Sequence, residues 1–394
     1  MMLKDSFAVI LKHHLLTTVF CFCHLISQGQ NSKIDSLQQI IKTAKEDTSK
    51  VNALNQLSKE FYLRASYDTT LLFAGNATKL AEKLKFRKGI ATSYNIIGNV
   101  YAEQGNFPEA LKNHFASLKE RKEIGDKRGI GNSYNNIGNA YHNQGNYPEA
   151  LKNHFASLKI KEEVGDEHGI AISYNNIGNV YYSQGNYLEA LKNHLASLKI
   201  CEKIGDTQGG ASSYNNIGTC YYSLFNYPEA LKNYFASLKI KEEIGDSTGI
   251  AASYNNIGSV YENQGNYPEA LKNHYAALKI KERIGNKRWL TSSYNNIGHI
   301  YVLTGKAKEG KEWLEKALKL SKKTGSLEEI KNSYANLSKA DSALASNTYS
   351  PLQVRLELAI NALENYKMYV LCKDSLINEE TIKKSEREKN QYEF

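Results

Sequence analysis

The sequence predicts an all-α repeat protein, a solenoid built from stacked helix-turn-helix units. Two observations predict this fold. Apolar residues within each unit are spaced by three and four, which is typical of helices and not of strands. The period itself is marked by a tyrosine that recurs every 40 residues, at Tyr94, Tyr134, Tyr174, Tyr214, Tyr254, Tyr294 and Tyr334. A unit of this length cannot bury its own core, so neighbouring units must stack.

The first 29 residues differ from the repeats. Lys4 and Lys12 precede an apolar run from Leu15 to Ile26, and Ser27-Gln28-Gly29 follows with small residues. This order predicts a signal peptide at 1–29 and a secreted or periplasmic mature chain. The apolar run is shorter than the roughly 20 residues that span a bilayer, so a retained membrane anchor is the weaker alternative.

Each repeat is expected to fold as two helices, which we call helix A and helix B. In the block 133–166, helix A ends at Gly145, a residue suited to a left-handed cap. Asn146 then begins helix B, with Glu149 three residues later at capping-box spacing. In four repeats a proline falls in the first turn of helix B, where no intrahelical N–H is needed. Asp166 caps the next helix A.

The helix pair resembles the tetratricopeptide repeat in a lengthened, 40-residue form. One block carries the resemblance on Tyr134, Ile137, Gly138, Tyr141, Ala150, His154, Ser157 and Leu158. At these positions the family has, in order, a large residue, Leu, Gly, Tyr, Ala, an aromatic residue, Ala and Leu. His154 and Ser157 differ from the family's usual aromatic residue and Ala. The resemblance covers about residues 51–372 and implies a right-handed superhelix of about eight helix pairs.

The segments outside the regular repeats are expected to be a capping helix at one end and a connector at the other. A capping helix is expected within 30–50, over Ile34 to Lys45, and a charged helical connector at 373–394. The edge repeats are irregular, as capping units are. The expected repeats are 51–90, 91–130, 131–170, 171–210, 211–250, 251–290, 291–330 and 331–372. A similar charged helix follows the repeats in many bacterial membrane-tethered regulators.

Composition and motifs do not favour an enzyme. The chain has 50 lysines and arginines against 41 aspartates and glutamates, a formal charge of +9, yet Lys and Glu alternate along helix B as on a solvated face. Cys201, Cys220 and Cys372 of the expected mature chain form neither a disulfide framework nor a zinc pattern. No nucleophile elbow, phosphate loop or dinucleotide fingerprint occurs, so we expect no catalytic residue and no cofactor.

A column of histidines is expected to pack between helices. Its members are His114, His154, His194 and His274. Equivalent positions of successive repeats are separated by a whole helix pair, about 10 Å, which is too far to share one metal ion. We therefore expect no metal site.

Helix A has a second, polar face opposite its apolar stripe. At 100° per residue, Asn135 and Asn136 lie within about 60° of Asn139. The asparagines of this face are Asn95, Asn99, Asn135, Asn136, Asn139, Asn175, Asn176, Asn179, Asn215, Asn216, Asn255, Asn256, Asn295 and Asn296. We call this set the amide face. In tetratricopeptide arrays the A helices line the concave groove, so the resemblance implies that the amide face is the groove.

An asparagine side chain offers the hydrogen-bonding groups of a peptide unit, so a row of them can pair with an extended backbone. Lys and Arg are missing from the groove positions, which disfavours a clamp for an acidic terminus and a nucleic-acid channel. The alternative is that the blocks are recent duplicates without a shared role. Partner choice is expected at variable positions of the same face, namely His142, Tyr182, Tyr222 and Glu262.

The sequence therefore predicts a non-catalytic scaffold that binds an extended protein or peptide segment, without nucleic acid and without membrane insertion of the mature chain. The alternative is the periplasmic sensory domain of a signal-transduction receptor whose effector, a histidine kinase, cyclase or transcription regulator, is absent. A basic nucleic-acid-binding solenoid is the least favoured hypothesis.

Overall fold

A computed structural model of the chain describes residues 33–390, which form helices joined by short turns, without a β-strand in that range. The all-α repeat fold predicted from the sequence is confirmed. The expected signal peptide at 1–29 lies outside the described residues. Within them, none of the helices is long and apolar enough to cross a membrane.

The helices follow one another as A and B members of successive pairs. Helix α1 covers residues 33–43. The others are α2 (Thr48–Leu63), α3 (Tyr67–Lys83), α4 (Arg87–Glu103), α5 (Phe107–Glu123), α6 (Lys127–Gln144), α7 (Tyr147–Glu163), α8 (Glu167–Ser183), α9 (Tyr187–Ile204), α10 (Thr207–Ser223), α11 (Tyr227–Glu243), α12 (Ser247–Asn263), α13 (Tyr267–Ile284), α14 (Lys287–Leu303), α15 (Ala307–Thr324), α16 (Leu327–Ala345) and α17 (Leu352–Asn390). From α2 onwards, even-numbered helices are A helices and odd-numbered helices are B helices.

The chain divides into two compact units, Met1–Val164 and Gly165–Phe394. In the first unit, α1 packs on the first helix pair, with Ile34 and Leu37 against Ala53. In the second unit, Tyr234 of α11 packs with Ile257 and Val260 of α12. In the first unit, Leu111 of α5 packs in the same way with Ile137 of α6. These two cores are therefore shared between a B helix and the next A helix, as stacking requires.

The helix boundaries have local causes that the sequence showed. Gly145 adopts a positive φ of 75° at the end of α6. The Asn146 side chain then accepts a hydrogen bond from the Glu149 backbone N–H at 3.4 Å, and Pro148 lies in the first turn of α7. The Glu149 carboxylate contacts Lys152 at 3.1 Å instead of closing a capping box. The turn is thus fixed by one cap and one left-handed glycine.

The two helices of a pair lie close together where a glycine faces a ring. A Cβ added at Gly138 would lie 2.7 Å from ring atoms of His154, and His154 is fully buried, at 0% exposure. Packing of this kind needs the missing side chain of glycine, because backbone and ring are already in contact. The histidine column thus lies in the helix interface.

The last helix is longer than the repeats suggest. The boundary expected between repeat and connector at 372/373 falls inside α17, which runs unbroken from Leu352 to Asn390. No glycine or proline occurs in this segment, so nothing in the backbone ends the helix where the repeat ends.

Candidate functional site

The asparagines of the amide face are hydrogen-bonded to one another across neighbouring repeats. In the first unit, Asn136 Nδ2 on α6 donates to Asn95 Oδ1 on α4 at 2.8 Å, and Asn99 Oδ1 lies at 3.5 Å. The donor and its main acceptor are 41 positions apart, one repeat plus one residue. One A helix is thereby joined to the next A helix by a side-chain amide pair.

The second unit repeats this connection. Its pairs, donor first, are Asn216 with Asn175 at 2.9 Å, Asn256 with Asn215 at 3.2 Å and Asn296 with Asn255 at 3.0 Å. Asn216 also lies within 3.4 Å of Asn179 Oδ1. We call these connections the amide ladder. The sequence predicted the row of amides but not that its members pair, because pairing depends on how the repeats stack.

Two asparagines of the predicted set differ from the others in burial. Asn139 is exposed, whereas Asn295 is buried, and the remaining asparagines of the amide face are half-buried. Asn295 donates to the Glu329 carboxylate at 3.0 Å and accepts from the Ser333 hydroxyl at 3.0 Å. Both of its amide atoms are engaged inside the second unit, so Asn295 acts as a packing residue there.

The ladder leaves hydrogen-bonding capacity on the face. An asparagine side chain has two N–H donors and an oxygen with two lone pairs. A ladder bond such as that from Asn256 to Asn215 uses one N–H of the donor and one lone pair of the acceptor. Half-buried amides of this kind can therefore accept a further backbone partner while the ladder stays intact.

Two of the predicted specificity residues form a second set of contacts with the same 41-residue spacing. The Tyr182 hydroxyl lies 2.9 Å from Ser223 Oγ, and Asn263 Nδ2 donates to the Tyr222 hydroxyl at 2.8 Å. Each ring also packs at a tilt on the tyrosine that opens the following B helix, with centroids 5.2 Å apart for Tyr182 and 6.0 Å for Tyr222. Both rings are therefore held in place before any partner arrives.

The other two specificity residues carry titratable groups. Glu262 lies 3.8 Å from His274 Nε2 and 3.6 Å from His299 Nε2. Burial lowers the pKa of His299 although the Glu262 carboxylate acts to raise it, and burial also lowers the pKa of His142. Within the part of the chain that the structure describes, no group of three or more metal-binding side chains is placed to hold an ion.

Stacked helix pairs, each with a polar face on its A helix, define a helical-repeat protein. A family model described as Tetratricopeptide repeat matches residues 89–168, 169–243 and 249–344, more than half of the chain. The chain therefore belongs to the tetratricopeptide repeat family. No curated protein sequence matches it significantly.

Solved structures share this fold at low identity. The chain is similar to the Signal Transduction ATPase with Numerous Domains protein with a tetratricopeptide repeat sensor from Pyrococcus horikoshii, with 19% identity, a TM-score of 0.66 and coverage of 89% of this chain. The match spans 52% of that protein, about half its length.

Two further structures match over most of both chains. The apo quorum sensor NprR from B. thuringiensis has 18% identity and a TM-score of 0.58, over 86% of this chain and 95% of that chain. The Rap protein complexed with Competence and Sporulation Factor has 15% identity and a TM-score of 0.53, over 89% and 99%. At such identities the likeness shows the fold alone.

Proposed function

We propose that this tetratricopeptide repeat protein is a non-catalytic scaffold that holds an extended protein or peptide segment on its amide face. The amide ladder is the observation that carries the proposal. It orders side-chain amides in rows within each unit, so a partner backbone meets donors and acceptors whose rotamers are already fixed. Preorganisation of this kind lowers the entropic cost of binding.

The chemistry of the face suits backbone recognition better than recognition of charge. Asparagine pairs equally well with the N–H and the C=O of any peptide unit, so such binding depends little on partner sequence. Sequence preference is assigned to Tyr182 and Tyr222, because aromatic rings in half-buried positions are frequent anchors of protein interfaces. Glu262 places an acidic group on the same face.

The test separates backbone pairing from side-chain anchoring. Changing Asn136, Asn176 and Asn216 together to alanine should weaken all blocked peptides of a panel similarly, by about 0.5–1.5 kcal/mol for each lost bond. Changing Tyr182 and Tyr222 to alanine should weaken some peptides far more than others. Isothermal titration measures both effects.

Asn153→Ala is the matched control, because it removes an amide from a B helix, where Asn153 donates to the Glu149 carbonyl at 2.8 Å. It should leave peptide affinity unchanged. Circular dichroism must show that all variants stay folded, since loss of ladder bonds also lowers stability. Equal affinities for the wild type and both folded variants would contradict the proposal.

A signal-sensing role is the second candidate. Two of the similar structures are named as a quorum sensor and as a complex with Competence and Sporulation Factor, and a third contains a repeat sensor. The observation in this chain that favours it is α17, whose 39 residues continue well beyond the 19 residues of α16. A helix of this length can carry a change in the repeats to an attached domain. Slower hydrogen exchange along α17 on addition of a bound peptide would support this role, and unchanged exchange would oppose it.

Export is part of the proposal. If residues 1–29 are a signal peptide, the exported chain begins near Gln30 and works in the periplasm or outside the cell. Intact mass and N-terminal sequencing of the expressed protein measure this directly. A cytosolic chain that keeps Met1 would rule out export by this route.

A further inference from the structure

Four B helices, α5, α7, α11 and α13, carry a largely buried cation at one repeated position. Arg121, Lys161, Lys241 and Lys281 occupy equivalent positions, and the three lysines are 6–8% exposed. Cys201 of α9 stands at this position in its own repeat and is 2% exposed. Short neutral residues take this position in three of the B helices, as Ala81 in α3, Cys201 in α9 and Ser321 in α15. Of these three, Cys201 is the one that lies between repeats that carry the cation.

Contacts with nearby glycines show which part of the lysine side chain has no counterpart in Cys201. A Cβ added at Gly249 would lie 2.8 Å from Lys241 Cδ, and one added at Gly209 would lie 2.7 Å from Cys201 Sγ. The sulfur therefore contacts the same glycine position of the next A helix that the lysine δ-carbon contacts in its own repeat. Beyond that carbon, Lys241 continues to its ammonium, which donates to Ser253 Oγ at 3.1 Å. Cys201 has no atoms to fill that space.

The space beyond Cys201 is a cavity of about 230 Å³ between α8, α9 and α10. Ala171 and Ile172 give it an apolar wall, and Ser213, the equivalent of Ser253, lines it. Asn175 of the amide ladder also lines the cavity, so the cavity adjoins the amide face within the second unit.

The cavity also retains the acidic group that a lysine would meet. In the next repeat, the Asp246 carboxylate acts to raise the pKa of Lys241, against the lowering effect of burial. Its equivalent, Asp206, lines the cavity and caps α10 by accepting from the Gly209 N–H at 2.9 Å. Asp206 has no lysine at the equivalent position beside it, and its Oδ2 lies 3.4 Å from Nε2 of the exposed His168.

We propose that this cavity is a lysine subsite of the amide face. A lysine side chain of the bound segment enters beside Cys201, lays its methylenes along Ala171 and Ile172, and brings its ammonium to Asp206 and Ser213. The inference rests on the proposed function, because it requires the segment to lie on the amide face. The chemistry recognised is a primary alkylammonium on an apolar stem, and a peptide lysine is its source.

The first experiment tests the cavity without a peptide. n-Butylamine, which is protonated at pH 7, should raise the Tm of the full chain at millimolar concentrations, and uncharged n-butanol should not. Cys201→Lys should abolish the shift, because it restores the side chain that fills this space in other repeats. Asp206→Asn should abolish it too, since asparagine still caps α10 but carries no charge.

Asp246→Asn is the matched control and should keep the shift, because Asp246 lies at the next repeat. Cys201→Lys is expected to fold, as lysine occupies the equivalent position elsewhere, and circular dichroism checks this. If it does not fold, Asp206→Asn carries the test. A Tm shift that is equal for amine and alcohol, or that persists in both folded variants, overturns the subsite.

The second experiment links the cavity to the partner. Two blocked, unstructured peptides that differ in one residue, lysine or norleucine, are titrated into the wild type and into Cys201→Lys. The lysine peptide should bind the wild type about tenfold more tightly, and the ratio should fall to about one in the variant.

The outcomes distinguish the two proposals. Equal binding of both peptides by the wild type overturns the subsite and leaves backbone recognition standing. A Tm shift with n-butylamine, without binding of either peptide, would show that the ammonium group does not come from a peptide lysine. It would favour a free alkylamine as the ligand and would count against the proposed function.

Discussion

At the scale of single residues, a close contact recurs in which a glycine of helix A faces a ring of helix B. A Cβ added at Gly98 would lie 2.7 Å from the His114 ring, and one added at Gly178 would lie 2.7 Å from the His194 ring. Both rings are 1% exposed. A charged imidazolium is strongly disfavoured in such a site, so these histidines stay neutral in the folded chain.

This burial predicts acid sensitivity. It lowers the pKa of His114, His154 and His194 from 6.5 to about 4. The unfolded chain binds these protons more strongly, so stability is full above about pH 6.5 and is lost as the pH falls towards 4. Each histidine contributes at most roughly 3 kcal/mol to this loss. Changing all three to tyrosine should flatten the dependence of urea-unfolding free energy on pH between 6.5 and 4.

The chain offers its own control for this prediction. Tyr234 occupies the same position in α11, where its hydroxyl donates to Thr219 at 3.1 Å. Tyr234→His should make the acid dependence steeper. A triple tyrosine variant that folds and keeps the wild-type pH dependence would show that other groups cause the acid loss.

At the scale of helices, two kinds of side-chain cap, aspartate and asparagine, begin the helices of the regular repeats, and the two kinds differ in geometry. At the start of α12 the Asp246 side chain accepts from the Gly249 N–H at 2.9 Å, whereas at α13 Asn266 accepts from the Glu269 N–H at 3.4 Å. The shorter, charged contact at the helix N-terminus is the stronger one.

The two caps should therefore contribute different amounts to the free energy of unfolding. Asp246→Ala is expected to cost about 1–2 kcal/mol and Asn266→Ala about 0.5–1 kcal/mol of unfolding free energy. Urea denaturation at pH 7 measures both, and Asp246→Asn should recover most of the loss. An equal or larger loss at Asn266 would mean that cap geometry does not determine stability here.

At the scale of the whole molecule, the sequence predicted the features that are determined within one repeat. It missed the features that depend on the contact between two repeats. Gly145, Asn146 and the packing of His154 follow from local spacing, so they were foreseeable. The pairing of Asn256 with Asn215 depends on how far one repeat is displaced from the next. The spacing of residues within a repeat does not determine this displacement. The sequence shows that Cys201 stands where neighbouring repeats have a lysine. The cavity that this substitution leaves is visible only in the structure.

The repeated contacts predict that a repeat can be removed without loss of fold. Deleting residues 211–250 brings Asn256 into the position of Asn216, where it can donate to Asn175 and rebuild the ladder. The shortened chain should remain helical and cooperative, with a lower Tm because one interface is lost. Circular dichroism and thermal melting measure this.

Deletion of residues 211–230 is the control, because it removes half a repeat and leaves two B helices in succession. It should unfold or destabilise the second unit much more. If the half-repeat deletion is tolerated and the full-repeat deletion is not, the repeat boundaries are wrong.

The buried cysteines give the second unit built-in reporters of local opening. Cys201, Cys220 and Cys372 are free thiols on α9, α10 and α17. Burial raises the pKa of Cys220 to about 12, so alkylation at neutral pH must wait until its helix opens. Iodoacetamide trapping read by peptide mass spectrometry would therefore time opening at three points of the native chain. Cys372, which is 7% exposed, should be labelled first and Cys220, which is 0% exposed, last. The interval between the labelling of Cys201 and that of Cys220 measures how independently neighbouring repeats open.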